Sequence, residues 1–495
     1  MTTTRRDLLT GLGALALTSG QAQAQSLASF ARGSNAIIEE TAPIGRFGYV
    51  LVDYASGKVL EGKNVDGLMI PASLSKIPTS FTAMRIHGPS AGFATKLEIT
   101  GKVENGVLNG DLHLIGGGDP SLDTNGLVEL AQQLQAAGIY TVAGRFKYYA
   151  TALPQSRWLD KRQPWQAPYN PSMGGLNLNY NRVQFRWARE GGFLRVRGAS
   201  VSDGKVMPAP SIQFRVTRGG EDLSHDTTNG IETWTLRESL LTGSGNRWLP
   251  VRQPGAYTAG VFQQVCAEMG ISVPTPEDTG GTPKGRTVAK HNSSTVYEML
   301  RGMMKYSNNL TAEALGASAA YTNGQRPRSI VSAAGMTARR TAKDVGGIGG
   351  NGWSGFSLEN HSGLSVRSRM TPRQLAFILR DGKRRWGDPY LALYNNRSLN
   401  AQRLGLPAGI AAPDHSIYGK TGSMHFVHGL AGFITVKDRP MVYAFMANED
   451  ESRKILDAQF TPYSDPKPGA AVNWSRRTKA FEQAMLKEWV LRYSA

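Results

Sequence analysis

Around Pro71-Ala72-Ser73-Leu74-Ser75-Lys76 the rest of the chain has to be arranged. The stretch opens a predicted helix that continues through Phe81, Met84 and Ile86. Ser73 and Lys76 are three apart, so on a helix they share one face, a turn from each other. A serine hydroxyl is a poor nucleophile near neutral pH and needs a neighbouring base. A lysine amine can take that proton if burial or a second cation lowers its pKa, because desolvation penalises the charged form. The helix N-terminus adds a positive field where an attacked carbonyl would become an oxyanion. Pro78 removes a donor five residues after Ser73, near the first turn, where several donors lack partners anyway. The pattern alone is weak: Ser202-Asp203-Gly204-Lys205 repeats the spacing in a polar turn with no helix behind it.

Two further motifs give it meaning. Ser307-Asn308-Asn309 lies just before a helix-like run over 310–320, and Lys420-Thr421-Gly422, followed by Ser423, comes after the strand-like Ser416-Ile417-Tyr418. Ser244-Gly245-Asn246 and Ser398-Leu399-Asn400 also spell Ser-x-Asn, so order and context select Ser307. Tyr306-Ser307-Asn308 spells a Tyr-x-Asn, which leaves the register of this motif open by one residue. Gly88-Pro89-Ser90-Ala91-Gly92 has the nucleophile-elbow spacing, but that motif needs a strand before the serine and a helix after it. Here a helix precedes, so a helix-ending turn is expected.

A chain of 495 residues exceeds what one core usually supports, so two or three domains are expected. With 40% hydrophobic and 19% charged residues the balance is that of a folded globular protein. The net charge of +18 suits a polyanionic neighbourhood such as cell wall or anionic lipid; no nucleic-acid module is present, and no nucleic-acid partner is expected. A single cysteine, Cys266, excludes an internal disulfide, and its apolar helical setting predicts a buried thiol. His425-x-x-His428 stands without a metal-binding motif around it, so neither metal nor cofactor is expected.

Arg5-Arg6 followed by the apolar run 12–17 and Ala22-Gln23-Ala24 reads as a twin-arginine signal peptide, residues 1–24, cleaved after Ala24 into the periplasm. Removing Arg5, Arg6 and Asp7 takes the charge from +18 to +17. The apolar run is far too short for a permanent membrane anchor.

Phe47 to Asp53 reads as a strand turned at Ala55-Ser56-Gly57-Lys58 into a second one. From residue 94 to 265 the pattern changes to short alternating runs, turns, one helix over 127–137 and a Trp/Pro-rich loop over 158–171. This is a mainly β insertion, too long for a loop. It separates the two parts, 25–93 and 266–495, of the domain that carries the three motifs. The insertion is expected to shape substrate access and not to be needed for the covalent step. After a Pro/Gly-rich linker over 277–284 come helices over 294–305 and 371–380, strands over 417–419, 430–436 and 441–447, and a closing helix over 475–492. That helix carries Phe481, Met485 and Trp489 at i, i+4, i+8 for packing on a sheet. Its basic face leaves a peripheral membrane contact open.

Ser-x-x-Lys, Ser-x-Asn and Lys-Thr-Gly, in this order, resemble the signature of the penicillin-recognising serine D-Ala-D-Ala peptidases and class A β-lactamases. The long insertion, the run 110–120, Met303-Met304-Lys305-Tyr306-Ser307 and Ser362-Gly363-Leu364-Ser365 resemble more narrowly the carboxypeptidase/endopeptidase family of penicillin-binding protein 4. His361 departs from that family, where a glycine is expected. The resemblance implies an α/β (α+β) serine β-lactamase/transpeptidase-like domain, an antiparallel sheet flanked by helices. It implies hydrolysis of peptidoglycan stem peptides ending in D-Ala-D-Ala, and inhibition by β-lactams. Ser73 would be the nucleophile, Lys76 its base, Ser307 a proton relay near Lys420, and Asn309 an orienter of the substrate amide. Thr421 and Ser423 would hold the substrate carboxylate, and Gly422 would keep the strand bare for the peptide. A β-lactamase and a catalytically inactive wall-binding protein are the rival readings.

Overall fold

The computed structural model describes residues 27–228, 231–279, 281, 285–349, 351–459 and 468–494. The signal-peptide reading and part of the 277–284 linker lie outside them.

A six-stranded antiparallel sheet forms the centre of the peptidase part. Its order is Asn395–Asn396, His415–Met424, Val427–Val436, Arg439–Asn448, Arg46–Asp53, Val59–Lys63. The first strands of the chain therefore pair with nearly the last, Tyr49 opposite Phe445 and Leu51 opposite Tyr443. Side chains alternate across a strand, so a run apolar at every position must be covered on both faces. That is the case here. Val50, Val52, Phe433 and Val442 face a core with Ile77, Phe81, Met84 and the helices Val296–Tyr306 and Pro372–Trp386. Tyr49, Leu51, Ile434 and Phe445 face Phe481, Met485 and Trp489 of the terminal helix Gly469–Arg492. Burial at about 25 cal/mol per Å² of apolar surface makes these two layers the main stabilising contribution to this part.

The residues from 94 onward build a separate core. A mixed five-stranded sheet runs Pro276–Asp278, Phe146–Tyr149, Leu112–Ile115, Ala94–Ile99, Arg286–Asn292, beside a four-stranded and two three-stranded sheets. The helices Thr124–Ala136 and Pro254–Glu268 pack on them, burying Leu127, Leu130, Phe262 and Val265. The structure moves the exit of this unit from residue 265 to Asn292. Arg286–Asn292 pairs antiparallel with Ala94–Ile99, so the chain leaves beside the strand by which it entered. Cys266, Ile271, Val273 and Ala289 belong to this core. Cys266 is buried, and burial pushes its thiol up to about 12.

The expected helices form with shifted ends: Asn309–Thr322, Val296–Tyr306 and Pro372–Trp386. The helix Ile330–Asp344 had no counterpart in the sequence reading. Gly88 caps the nucleophile helix, and a turn at Pro89 and Ser90 leads into the strand Ala94–Ile99.

Candidate active site

The chain enters the site through a tight 3-10 turn, Ala72–Ser75, and only then the α-helix Lys76–His87. Ser73 thus lies in the turn before the helix, where the sequence placed it in the helix itself. Pro78 sits in the first helical turn without breaking it. Ala72 adopts the left-handed region (φ 47°), a conformation an L-residue holds only when its surroundings impose it. Those surroundings are close. Gly363 (φ 83°) lies against the Ala72 carbonyl, where any Cβ would overlap it. Gly422 packs on the same turn, since a Cβ there would stand 2.5 Å from the Pro71 carbonyl and 3.0 Å from the Leu74 nitrogen. The nucleophile turn therefore requires a bare Gly422.

Lys76 is fully buried, and its Nζ reaches three groups. It lies 3.1 Å from Ser73 Oγ, 2.8 Å from Asn309 Oδ1 and 2.6 Å from the Ser362 carbonyl. Burial holds its pKa well below the usual lysine value; repulsion from Lys420 adds to this, and the charge of Glu313 opposes it. Lys420, on the strand His415–Met424, donates to Ser307 Oγ at 3.1 Å and to the Thr421 carbonyl at 2.8 Å. Burial and then Arg397 bring its pKa down to about 8. Both amines are thereby held below the usual lysine range, Lys76 chiefly by burial and Lys420 at about 8.

The register of the second motif follows from helix caps. Ser307 ends the helix Val296–Tyr306 in the left-handed region (φ 56°), and Asn308 caps the next helix by accepting from Thr311 N at 3.0 Å. Ser307 and Asn309 thereby face the two lysines, whereas Asn308 is spent on its cap and Tyr306 is 73% exposed. Ser73, Ser307, Asn309 and Ser423 line one cleft of about 730 Å³, with Tyr169, Leu364 and Arg162. Thr421 is half-buried and gives its carbonyl to Lys420.

Several contributors carry no motif. Glu313, fully buried one turn beyond Asn309, accepts from the backbone of His361 at 3.0 Å and of Ser362 at 2.8 Å, and bonds His361 Nδ1 at 2.9 Å. Burial alone would raise its pKa, but these hydrogen bonds outweigh it and keep the carboxyl low. Glu313 thus fixes the loop whose Ser362 carbonyl grips Lys76. From the insertion, the Tyr169 carbonyl accepts from Asn309 Nδ2 at 2.9 Å. Arg162 binds Glu359 and Ser365 Oγ, both at 2.8 Å, and Gln163 donates to the Leu364 carbonyl at 2.9 Å. Backbone acceptors leave no trace in residue identity; the Trp/Pro-rich run and Ser362-Gly363-Leu364-Ser365 were the only signals. Among the described residues no cluster of three or more His, Cys, Asp or Glu is arranged to hold a metal ion.

Residues 35–461 match the D-Ala-D-Ala carboxypeptidase 3 (S13) family. The chain belongs to that family. It is a serine-type peptidase of the S13 group. It is 25% identical over 449 residues to a D-alanyl-D-alanine carboxypeptidase of Actinomadura sp. (strain R39), covering 84% of this chain and 80% of that one. The D-alanyl-D-alanine carboxypeptidase DacB of Haemophilus influenzae is 23% identical over 446 residues, 83% of this chain and 87% of the relative. The crystal structure of penicillin binding protein 4 from the same organism superposes with a TM-score of 0.70 at 20% identity, over 92% of this chain and 99% of that one. The S13 chain thus has the penicillin-recognising peptidase fold.

Proposed function

We propose that this S13 peptidase removes or releases D-alanine-linked residues from peptidoglycan stem peptides through an acyl-enzyme on Ser73. The observation that carries the assignment is the 3.1 Å approach of a fully buried Lys76 amine to Ser73 Oγ. Ser73 Oγ gives its proton to the neutral Lys76 and bonds to the carbonyl carbon between the two D-alanines. The C–N bond breaks, and the proton that Lys76 took passes through Ser307, beside the Lys420 ammonium, to the leaving amine. Backbone N–H groups of Ser73 and Ser423 would stabilise the oxyanion, and Asn309 would orient the substrate amide. The hydroxyls of Thr421 and Ser423 would meet the carboxylate of the leaving residue. Water then releases the acyl group.

The same chemistry makes β-lactams suicide acylators of Ser73, and cross-linked stem peptides endopeptidase substrates. The Arg5-Arg6 pair, the Ala22-Gln23-Ala24 run and the high positive charge support a reading of action in the periplasm, against the anionic wall. Among the described residues no helix is long and apolar enough to cross a membrane. Incubating the mature protein with labelled penicillin and locating the adduct by mass spectrometry tests the reading: the expected result is one stable adduct on the peptide containing Ser73. Rapid turnover with no adduct, or no reaction at all, would overturn it.

A further inference from the structure

Beside the catalytic cleft lies a second cavity, of about 500 Å³, to which the acylation chemistry gives no role. The two share Tyr169, Ser307 and Asn309, so the cavity adjoins the hydroxyl that passes the proton to the leaving amine. One wall is the helix Val296–Tyr306, with Met299, Met303 and Tyr306; another belongs to the insertion, with Tyr180 and Arg182. A departing D-alanine holds its one carboxylate against Thr421 and Ser423 and has only a methyl group besides. A departing peptide has more to place.

Arg182 gives the cavity its chemistry. Its guanidinium carbon lies 5.5 Å from the ring centroids of both Tyr180 and Trp248, so the fork is held by stacking. Its Nε is buried and has no hydrogen-bond partner among the described residues. Burial lowers its pKa, opposed by the Tyr180 phenol and by no carboxylate. A half-buried guanidinium without an acceptor is costly, and a carboxylate matches its planar fork in both charge and shape.

The other charged groups near the cavity are engaged. Glu298 accepts from Thr295 N and Oγ1, both at 2.9 Å. Lys305 Nζ stands 5.0 Å from the Tyr306 ring centroid. Three carboxylates act on the Tyr180 phenol from the insertion side. Of these, Asp119 accepts from Ser121 N and Oγ, and Asp123 caps the helix Thr124–Ala136 through Gly126 N. Asp203 lies in the turn after the strand Phe193–Ser202.

The backbone that presents Tyr180 and Arg182 is fixed at a cost. Asn179, Tyr180 and Asn181 are all left-handed, with φ of 50°, 58° and 52°. Asparagine tolerates that region; tyrosine does not unless its neighbours impose it. Here they do. Asn179 Nδ2 donates to Thr124 Oγ1 at 3.0 Å and Ser200 Oγ at 2.8 Å, and Asn181 Nδ2 to the Ser172 carbonyl at 3.0 Å. The Tyr180 ring between them is left 40% exposed.

We propose that this cavity is the subsite for the leaving strand of a cross-linked stem peptide, with Arg182 binding a carboxylate of that strand and Tyr306 and Tyr180 flanking it. The proposal rests on the reading of Ser307 as the relay to the leaving amine. It makes Arg182 a specificity residue for endopeptidase cleavage, silent when a single D-alanine departs.

The test uses the mature enzyme with a small peptide ending in D-Ala-D-Ala, a sugar-free cross-linked dimer of stem peptides, and an amidated dimer. In the last, every carboxylate of the leaving strand is amidated except the one beside the scissile bond. For the wild type, amidation is expected to lower kcat/KM about tenfold and mainly through KM, the scale of one charge-assisted hydrogen bond made in ground and transition state alike. Arg182→Gln should cost about the same on the free dimer and change the small peptide by less than about twofold. It should also erase the difference between free and amidated dimers, as expected of two partners in one contact. Tyr306→Ala, at an exposed ring, should raise KM for the dimer alone. An Arg182→Gln enzyme that still separates the two dimers about tenfold would overturn the proposal, as would an equal loss on the small peptide. Equal cleavage of free and amidated dimers by the wild type would overturn it even if Arg182→Gln does not fold. So would cleavage of the small peptide but not of the sugar-free dimer, which would place recognition in the glycan. If penicillin labels Ser73 and any of these results is found, this inference alone fails. If neither peptide nor dimer is cleaved and no label forms, the functional reading fails and the proposal falls with it.

Discussion

Asn309 donates to the carbonyl of Tyr169 at 2.9 Å, joining the second motif of the peptidase part to the backbone of the insertion. An amide side chain has one donor end and one acceptor end. With its nitrogen held by Tyr169, Asn309 must present oxygen, and that oxygen meets Lys76 at 2.8 Å. The insertion therefore helps to aim an acceptor at the buried amine.

Asn309→Asp is expected to invert this arrangement. A carboxylate cannot donate to the Tyr169 carbonyl, and its charge favours the ammonium form of Lys76. Penicillin acylation at pH 7 should fall by about tenfold or more, since one unit of displaced pKa is about 1.36 kcal/mol. The acid limb of the pH–rate profile should move to higher pH. An unmoved acid limb would mean that Asn309 does not set the protonation of Lys76.

Excision of the insertion by joining residue 92 to 266 is expected from sequence, if the shortened chain folds, to leave penicillin acylation intact and to cost more activity on cross-linked muropeptides than on a small D-Ala-D-Ala peptide. The contacts made by the insertion point to the opposite outcome. The cut removes the Tyr169 carbonyl and the Arg162 and Gln163 bonds to the 359–365 loop. It also severs the helix Pro254–Glu268 and strips Arg286–Asn292 of its partner strand. Labelling with penicillin should be lost. A variant of this kind that folds by circular dichroism and still labels at the wild-type rate would disprove the coupling.

The two lysines should give opposite limbs. Acylation needs Lys76 neutral, so the rate rises with pH through the lowered pKa of Lys76. It also needs Lys420 charged, so the rate falls as pH passes about 8. Lys420→Arg keeps the charge at all pH and should remove the alkaline limb while retaining more activity than Lys76→Arg. Guanidinium cannot act as a base, and Lys76→Arg should be nearly inactive. Equal losses in stopped-flow acylation would count against this division.

The nucleophile is checked by adduct mapping. Ser73→Ala should abolish labelling, whereas Ser90→Ala and Ser202→Ala should label at wild-type rates. An adduct left in Ser73→Ala would remove the assignment.

His361 is accommodated by Gly316 on the facing helix, where any Cβ would overlap the imidazole ring. Gly316→Ala is expected to destabilise by about 1–3 kcal/mol through overpacking and to slow acylation by displacing the Ser362 loop. Adding His361→Gly should restore the space and much of the stability. Failure of the double variant to unfold later than Gly316→Ala in thermal melts would show that the ring is not the obstacle.

Short-range patterning in the sequence went far towards the fold and the chemistry. Ser73 and Lys76 are three residues apart, so any helical turn brings them together. The apolar runs at 49–52 and 441–447 read as strands, and the structure covers them on both faces. The i, i+4, i+8 spacing of Phe481, Met485 and Trp489 marked the packing face of the last helix. These features are encoded in residues close in sequence, where geometry is fixed by the backbone period.

What tertiary structure alone decided involves partners far apart or without side-chain identity. The register of the second motif depended on which of three adjacent residues became the helix cap. The end of the insertion moved from 265 to Asn292 because Arg286–Asn292, a polar segment, finds its partner nearly two hundred positions back. The need for a glycine at 422 on the side of the nucleophile turn arises because Pro71 and Leu74 approach it in space. The acceptors for Lys76 and Asn309 are carbonyls of Ser362 and Tyr169, which every residue type carries, so no pattern could single them out. Only the folded chain brings them within hydrogen-bonding distance.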